Sequence, residues 1–362
     1  MKRILHITEC LGSGVLNYIK NVTTWQINDY EVYVAYAVRP ETPENFKDQF
    51  ESKVHFIYVE GFTREIEPHN DLRAFFNIRQ IVRRIKPDLI HLHSTKAGVI
   101  GRWAINCNQY KVLYSPHAYS FLMMDCSNVK RKIYKTIEKF SDRKNCLTIT
   151  DIDGELEASK SVSKNSICIA NGINPREMDV VIENAQKYRN RSKGDKRIVC
   201  MLGKVVPQKN PQLFNEIAKE FTDVEFVWIG TGPLVDLLTS QNITVTGWLS
   251  REEAIAQIID SDIFLFPSAW ESLSIALLEV MYVGKPCVVS SADGNRDVIN
   301  SKNGFVCKTK QEYIAAIKEL LLDTSKIQKY GNQAHQDILD KYNVYVMEKE
   351  YRALFKRIAL DP

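Results

Sequence analysis

Short apolar runs alternate with longer amphipathic segments along this chain. The first half carries RILHIT, EVYVAY, VHFIYV, DLIHLH, KVLYS, CLTIT and SICIA, and the second half carries RIVCMLG, VEFVWIG, ITVTG, DIFLFPS and KPCVVSS. Between them lie segments with helical spacing of apolar residues, such as DLRAFFNIRQIVRRIK and NPQLFNEIAKEF. Strands that alternate with helices predict parallel sheets covered by helices on both faces. Two such series predict an α/β protein with two Rossmann-like domains.

A polar stretch from Asn171 to Asp195 separates the two series. NGINP is rich in turn residues, and charged residues follow it until RIVCMLG begins a new buried strand. We therefore expect an N-terminal domain at residues 1–172, a linker at 173–194 and a C-terminal domain at 195–341. Residues 342–362 are expected to form a C-terminal helix that crosses back to the N-terminal domain. A chain of 362 residues suits two domains of about 150–200 residues each.

The composition is that of a globular protein, with 44% hydrophobic and 25% charged residues. No run of eighteen apolar residues predicts a transmembrane helix, and the start MKRILHITECLGSG suggests a buried strand and not a signal peptide. We expect a cytoplasmic protein. Residues 73–144 hold 15 Lys and Arg against four Asp and Glu. This basic segment favours an anionic partner, such as membrane headgroups, a phosphate-bearing substrate or nucleic acid, or else it is a solvated basic face.

The eight cysteines are scattered, and none forms a C-x-x-C pair. Several lie in strand-like runs, where a thiol serves as a small apolar side chain. No pair of histidines has the spacing of a metal-binding motif. We therefore expect reduced structural thiols, no metal site and no cofactor.

Ligands of open parallel sheets bind beside the carboxyl ends of the strands. Gly12 and Gly14 follow the first strand and precede a helix, which suits either close approach to an anion or a simple tight turn. His117 follows the strand KVLYS. A buried structural histidine is the ordinary alternative, but its place after a strand favours a functional role.

The second half has comparable residues after its strands. Lys204 and Lys209 follow RIVCMLG, and two cations near a helix start could neutralise a diphosphate or could simply be exposed lysines. Gly230 and Gly232 follow VEFVWIG and form a turn or allow close approach to a base.

The stretch WESLSIALLE sets two carboxylates eight positions apart, at Glu271 and Glu279. We expect a helix to begin at residues 272–274, with Glu279 two turns into it. Glu279 would then lie about 12 Å from Glu271 along the helix axis. Carboxylates accept hydrogen bonds from paired sugar hydroxyls, so each could hold a different part of one ligand. The alternative is an acid beside the helix start and a buried Glu279 paired with a lysine such as Lys285.

In this order, the motifs resemble the retaining glycosyltransferases of the GT-B fold, the family called group 1 or family 4. They are the glycine loop, the histidine after a later strand, NGI, GKVVPQKN, GTGP, and E-x7-E followed by GKP. The resemblance covers nearly the whole chain and implies two Rossmann-like domains facing across a cleft. The segment SPHAYSFLMMDCSNVKRKIYKTIEKFSDR also resembles family members that build bacterial capsule or O-antigen polysaccharides.

The resemblance implies a role for each matching residue. His117, Glu271 and Lys209 are expected to be catalytic, with Glu271 at the hydroxyls of the donor sugar. The donor-binding residues implied are Gly14, Lys204, Lys209, Gly232, Glu271, Ser274, Ile275 and Glu279, the last of these at the nucleotide ribose. Two positions depart from the family. Lys204 stands where the family more often has arginine, so the bidentate contact that an arginine makes with phosphate is lost. Leu273-Ser274 replaces the frequent Phe-Gly and alters the sugar pocket.

The implied reaction is metal-independent transfer of a hexose or N-acetylhexosamine from a nucleotide sugar, expected to be UDP-linked, to an acceptor hydroxyl with retention of anomeric configuration. The expected acceptor is a lipid-diphosphate-linked saccharide, which places the enzyme on the inner face of the cytoplasmic membrane. Two alternatives remain: a UDP-sugar 2-epimerase of the same fold, and a non-enzymatic nucleic-acid binder using the basic N-terminal half. No nucleic-acid partner is expected, because the chain lacks a recognised nucleic-acid-binding signature.

Overall fold

The computed structural model describes residues 1–40, 42–63, 65–124, 126–143, 145–190 and 196–360. The chain divides into two compact units. Unit 1 comprises Met1–Asn171 and Val344–Pro362, and unit 2 comprises Gly172–Asn343. Each unit contains one wholly parallel sheet flanked by helices, which confirms the expected α/β class.

Unit 1 is built on a seven-stranded sheet with the order β3-β2-β1-β4-β5-β6-β7. Its elements are β1 (Arg3–Thr8), α1 (Ser13–Gln26), β2 (Glu31–Tyr36), β3 (His55–Tyr58), α2 (Pro68–Ile85), β4 (Leu89–His93), α3 (Thr95–Ala104), β5 (Lys111–Ser115), α4 (Asn128–Ser141), β6 (Cys146–Thr150), α5 (Asp153–Lys160), β7 (Ser166–Cys168) and the C-terminal helix α13 (Val344–Arg357). The order reverses between β1 and β4, and ligands of such sheets bind at this switch point.

Alternation along each strand divides unit 1 into two cores. Ile4 of β1 packs with α1 and α13, where Tyr351 and Phe355 are fully buried. Leu5, its neighbour in the strand, packs on the opposite face with apolar residues of α2 such as Ile78. Successive side chains of a strand point to opposite faces, so both faces of β1 require apolar cover. The near-continuous apolar pattern of RILHIT follows from this.

Unit 2 contains a six-stranded sheet with the order β10-β9-β8-β11-β12-β13. Its elements are α6 (Pro175–Ala185), β8 (Arg197–Leu202), α7 (Pro211–Ala218), β9 (Val224–Ile229), β10 (Ile243–Val245), α8 (Arg251–Asp260), β11 (Ile263–Phe266), α9 (Ile275–Val283), β12 (Cys287–Ser290), α10 (Asp293–Val298), β13 (Gly304–Cys307), α11 (Lys310–Leu322) and α12 (Thr324–Asp340). The helix α9 is apolar on nearly every side, because other elements of the unit surround it.

The structure differs from the sequence prediction at several places. Helix α6 occupies half of the expected linker at 173–194 and packs within unit 2 against α8. Residues 191–194 of that linker, and 195 at the expected domain start, lie outside the described residues. The edge strand β13 was not predicted, since GFVC is short and lies between polar residues.

All eight cysteines are free thiols. In the part of the chain that is described, no helix combines the length and apolarity needed to span a bilayer.

Candidate active site

His117 lies in the loop after β5, close to the switch point of the unit 1 sheet. Its backbone is left-handed, with φ of 51°, and that of Ala118 has φ of 80°. Such angles are uncommon for residues other than glycine and persist only where surrounding contacts hold them. Here the backbone N–H of Ala118 donates to Oε1 of Glu155 at 2.9 Å. The fold therefore fixes the loop in a strained conformation at a strand end, a feature that often marks a functional position.

A continuous hydrogen-bonded chain runs inward from His117. Its Nδ1 lies 3.2 Å from Oδ2 of Asp151, and its Nε2 lies 3.0 Å from Nδ1 of His93. Nε2 of His93 lies 2.9 Å from Nδ1 of His6, whose Nε2 lies 2.7 Å from Oε1 of Gln26. His6, His93 and Gln26 are wholly buried. His117 is thus one end of a buried polar chain, not an isolated side chain.

Burial determines the charge of this region. Desolvation lowers the pKa of His6 to about 4 and lowers the pKa of His93 well below its usual value. Burial, reinforced by the nearby Asp151 carboxylate, raises the pKa of Glu155 to about 8. At neutral pH the two inner histidines are therefore neutral, and Glu155 is largely protonated.

The histidines also bear on the expectation that no metal site exists. One ring nitrogen from each of His6, His91 and His93 lies within 4.8 Å of the other two, which sequence spacing did not reveal because β1 and β4 are distant in the chain. Hydrogen bonds already engage both nitrogens of His6 and of His93, and Nε2 of His91 lies 2.9 Å from Oγ of Ser115. His6 and His93 thus belong to one hydrogen-bonded chain, whereas Nδ1 of His91 is buried without a hydrogen-bond partner among the described residues.

In unit 2, Lys209 and Glu271 form a close ion pair. Nζ of Lys209 lies 2.5 Å from Oε1 of Glu271 and 4.4 Å from the ring centre of Phe266. Lys209 ends a short 3-10 turn after β8, while Glu271 belongs to the loop between β11 and α9. Only 14% of the lysine side chain and 6% of the glutamate side chain are exposed. Two adjacent strands thus bring together two residues that lie 62 positions apart.

The amino end of α9 lies next to this ion pair in the chain. Ser274 is the N-cap residue and Ile275 is the first helical residue. The Ser274 side chain makes no capping hydrogen bond, so the first backbone N–H groups of α9 have no partner from it. Because its first helical residue is Ile275, α9 begins later than the expected residues 272–274. Glu279 lies about one turn into α9, not two, at roughly 7.5 Å from the N-cap along the axis.

Glu279 pairs with Arg251 and not with Lys285. Arg251, at the start of α8, reaches Oε1 of Glu279 through Nη2 at 2.7 Å and also bonds to Glu177. Lys285 instead donates to the backbone oxygens of Ile259 and Ser261. Burial raises the pKa of Glu279, and the Arg251 charge opposes that rise. The sequence carried no signal for Arg251, because its partner lies on a different helix.

The glycines after β8 and β9 allow two loops to pack tightly. A Cβ on Gly232 would lie 2.4 Å from the backbone oxygen of Val205, and one on Gly230 would lie 2.4 Å from that of Gly203. The position of Gly232 thus has a structural reason independent of any ligand. Lys204, in the same loop, is exposed and forms no ion pair among the described residues. By contrast, Gly14 is exposed and has open space where a Cβ would lie.

Comparison with known proteins gives these sites their context. Residues 183–337 match the family profile described as glycosyl transferases group 1, and residues 13–151 match the profile described as glycosyl transferase 4-like. Together the two profiles cover most of both units. This chain is a group 1 glycosyltransferase.

Two similar relatives agree with this assignment, and solved structures agree with the fold. The transferase is 28% identical to the UDP-Gal:alpha-D-GlcNAc-diphosphoundecaprenol alpha-1,3-galactosyltransferase of Escherichia coli, over 72% of each chain. It is 24% identical to the N,N'-diacetylbacillosaminyl-diphospho-undecaprenol alpha-1,3-N-acetylgalactosaminyltransferase of Campylobacter jejuni, over 83% of this chain and 86% of the relative. Its fold is similar to sucrose-phosphate synthase from Thermosynechococcus elongatus, with a TM-score of 0.81, 15% identity and 99% of each chain covered. Anabaena HepE in complex with UDP and glucose has a TM-score of 0.77, with 16% identity over 98% of this chain and 100% of that one. The expected GT-B class is confirmed.

For the transferase, the predicted site residues divide between the units. Lys204, Lys209, Gly232, Glu271, Ser274, Ile275 and Glu279 lie in unit 2, and Gly14 and His117 lie in unit 1. Within unit 2, Lys209 and Glu271 are in direct contact. The roles of these residues toward a donor stay predictions. The contact between Asp151 and His117 was not predicted from the sequence. A signal was present, because Asp151 follows the strand CLTIT as His117 follows the strand KVLYS.

Proposed function

We propose that this transferase moves a hexose or N-acetylhexosamine from a UDP-sugar to a hydroxyl of a lipid-diphosphate-linked saccharide, with retention of configuration and without a metal ion. Two relatives support the acceptor class, since both are named for sugars carried on diphosphoundecaprenol. The donor nucleotide is supported by the UDP-Gal named for one of them and by the UDP bound to a protein of the same fold. The product would be a longer lipid-linked saccharide for a capsule or O-antigen polysaccharide.

The observation that carries the donor assignment is the Lys209–Glu271 pair before the amino end of α9. A lysine and helix-start N–H groups that the Ser274 side chain does not cap form a ready site for an anion, and a nucleoside diphosphate is such a ligand. When the diphosphate binds, Lys209 can turn to its oxygens and release the Glu271 carboxylate toward the hydroxyls of the sugar. The free enzyme would therefore hold both groups in readiness through their mutual ion pair.

The remaining donor-binding residues complete this hypothesis. Lys204 adds a second positive charge to the diphosphate, and Glu279, oriented by Arg251, accepts hydrogen bonds from the ribose hydroxyls. Backbone N–H groups of Ser274 and Ile275 contact the phosphates, and Gly14, which has open space where a Cβ would lie, is a further donor-binding residue of this hypothesis. His117 acts at the reacting sugar.

Bond breaking places negative charge on the departing nucleoside diphosphate. Lys209, Lys204 and the α9 amides would stabilise that charge, which lowers the barrier without requiring a metal. The acceptor hydroxyl attacks the anomeric carbon on the face that the diphosphate leaves, and its proton passes to a diphosphate oxygen. This sequence retains the anomeric configuration and needs no covalent enzyme intermediate.

A donor screen tests the proposal. Purified enzyme is incubated with UDP-, GDP- and ADP-sugars, each with and without a synthetic polyprenyl-diphosphate-linked sugar, and released nucleoside diphosphate is measured with EDTA present. We expect UDP release that requires the acceptor, and a product whose new linkage has the donor's configuration by NMR. Conversion of UDP-sugar alone into its 2-epimer would replace the transferase proposal with the epimerase alternative. Loss of turnover in EDTA, restored by a divalent cation, would refute metal independence.

We propose in addition that helix α4 docks on an anionic bilayer surface. Its exposed apolar residues, Val129, Ile133 and Phe140, recur at helical spacing and are 68%, 50% and 72% exposed. Other residues of the helix hold it to unit 1: Glu138 forms a buried ion pair with Arg102 at 2.6 Å, and Tyr134 packs against the core. An apolar stripe flanked by cations is typical of helices that lie in a membrane interface.

The cations belong to the same helix. Lys130, Lys132, Lys135 and Lys139 of α4 are exposed, and the apolar groove beside it is lined by residues that include Trp103, 55% exposed. Liposome flotation tests the docking. We expect binding to vesicles with anionic lipid, weakened by Lys132→Gln with Lys135→Gln and by Phe140→Ser. Lys318→Gln with Lys329→Gln in unit 2 is the charge-matched control. Equal recovery with neutral and anionic vesicles would contradict electrostatic docking.

A further inference from the structure

An open groove with an apolar lining lies on the surface of unit 1 between α2, α3 and α4, where α3 packs between the other two helices. Its volume is about 470 Å³, within the usual range of ligand pockets. Each helix contributes two apolar side chains to the lining: Leu72 and Phe75 from α2, Ile100 and Trp103 from α3, and Ile137 and Phe140 from α4. Contiguous exposed apolar surface of this kind marks a binding site.

The lining favours an apolar ligand, because polar groups within it already have partners. Nε1 of Trp103 donates to Oγ of Ser141 at 2.9 Å. The acid of the lining, Asp71, pairs with Nζ of Lys96 at 2.7 Å. A polar ligand would find few new hydrogen bonds here, whereas a hydrocarbon chain would remove apolar area from water.

The groove begins at the edge of the sheet that carries His117. Helices that connect parallel strands start beside the carboxyl ends of the strands, as α2, α3 and α4 do. The loop that holds His117 is attached to the start of α4, since Nε of Arg131 donates to the backbone oxygen of Phe121 at 3.0 Å. From this edge the 14 residues of α4 extend about 21 Å toward the opposite edge. A ligand that reacts beside His117 and lies in the groove must therefore be long.

Positive charge is concentrated at this end of the groove. Three successive cations, Lys130, Arg131 and Lys132, lie near the start of α4, and the first turn of the helix has no acidic residue. The amino end of the helix adds its own positive potential. Lys130 precedes Ile137 and Phe140 by seven and ten residues, spacings that place all three on one helix face. The structure therefore favours an anionic group at one end of the groove and hydrocarbon along its length.

We propose that this groove holds the first prenyl units of the acceptor's lipid chain, with the acceptor diphosphate beside the three cations of α4. The inference rests on the proposed lipid-diphosphate-linked acceptor and deepens it. The order of groups in such a molecule matches the order along unit 1: a sugar at His117, a diphosphate at the start of α4, and hydrocarbon between α2, α3 and α4. The exposed apolar stripe of α4 lies beside the groove, so the rest of the chain can continue into the bilayer.

Acceptors of graded chain length test the groove in solution, with no membrane present. Each carries one sugar on a diphosphate linked to one, two, three or four prenyl units and is used below its critical micelle concentration. We expect the acceptor KM of the parent enzyme to fall about tenfold for each of the first units, because burying about two carbon groups per unit suffices for that factor. The decrease should end once the chain fills the groove.

Substitutions on α4 separate the groove from the basic cluster. Thr136 is an exposed residue of the lining, so Thr136→Trp fills the groove without removing a core side chain and should abolish the dependence on chain length. Val129→Trp is the matched control, because Val129 is 68% exposed on the same helix and is not part of the lining. Lys130→Gln should raise KM by a similar factor at every chain length. Leu72→Asn removes apolar wall from α2 and should weaken the dependence independently of α4.

Photo-cross-linking locates the chain without turnover. An acceptor analogue with a diazirine on its second prenyl unit should label peptides of α2, α3 or α4 in the parent protein, and these peptides much less in Thr136→Trp. Excess short-chain phosphatidylglycerol should not displace the label, whereas unlabelled acceptor should.

Three results would overturn the proposal: no label on these helices, displacement of the label by phosphatidylglycerol, or the same dependence on chain length in Thr136→Trp and Val129→Trp. Displacement by phosphatidylglycerol would assign the groove to a membrane phospholipid. If no donor supports transfer to any acceptor, the proposed function fails, while the cross-link still decides what occupies the groove.

Discussion

Glu271→Gln tests how much the Lys209–Glu271 ion pair contributes to the stability of the fold and how much Glu271 contributes to catalysis. The two charged atoms lie 2.5 Å apart, and the side chains are only 14% and 6% exposed, so water screens the pair weakly. Glutamine keeps the shape and one acceptor oxygen but removes the charge. A charge-assisted hydrogen bond contributes about 1.5–3 kcal/mol, so we expect a loss of about 2 kcal/mol in the free energy of unfolding. For a unit of this size that is a fall of about 4–8 °C in melting temperature.

The same substitution should reduce transfer for a separate reason. If Glu271 binds donor hydroxyls in the transition state, losing a contact of about 1.5–3 kcal/mol lowers kcat/KM by about tenfold or more. Turnover with the identified donor and acceptor, together with differential scanning fluorimetry, measures both effects. Glu220→Gln is the control, since its pair with Lys310 is 2.7 Å long and much more exposed. An exposed pair contributes at most about 1 kcal/mol, so stability and turnover should hardly change.

Adding Lys209→Met to Glu271→Gln decides between the two roles. The double variant leaves neither charge buried alone, so its melting temperature should recover most of the loss, while its turnover should stay at least as low as that of the single variant. Recovery of turnover along with stability would show that the pair serves only the fold. Near-normal turnover in Glu271→Gln itself would refute the assignment of Glu271 to the donor.

Three further perturbations follow from the contacts. Arg251→Met removes the charge that opposes the raised pKa of Glu279, so on acidification the donor KM should begin to rise at a higher pH than it does in the parent. Burial raises the pKa of Glu155 from 4.5 to about 8, so the folded state holds this proton more tightly and loses stability as pH rises through that window. Glu155→Gln should therefore gain melting temperature over the parent by a margin that grows from pH 5 to 8, and a constant margin would contradict this. Gly294→Ala would place a Cβ 1.9 Å from the backbone oxygen of Ser272, so we expect about 1–3 kcal/mol less stability and weaker donor binding by calorimetry.

The sequence predicted most strands because parallel sheets bury both faces and leave long apolar runs. It missed β13, which is short and lies at an edge, and it took α6 for a linker because an amphipathic surface helix is rich in charged residues. Helix α9 begins later than predicted because residues 272–273 continue the loop that carries Glu271.

The candidate site was predictable only where a residue follows a strand. The predictions for His117, Lys209 and Glu271 were made in this way, but the sequence did not reveal all of their contact partners. Arg251 contacts Glu279 from another helix, and the link from His93 to His117 joins neighbouring strands whose register the sequence does not state. Pairings of this kind depend on tertiary packing, which residue order along one segment does not encode.

Helix α13 has a consequence for how the protein is made. Its buried residues Met347, Tyr351, Leu354 and Phe355 complete the core around α1, although 172 residues of unit 2 separate this helix from the rest of unit 1. On a ribosome, unit 2 is fully synthesised before α13 emerges, so the unit begun first is finished last. Until then the nascent chain exposes the apolar surface beside Trp25 that α13 will cover. A premature stop codon shortly after Asn343 would therefore damage the earliest part of the chain while sparing the later unit.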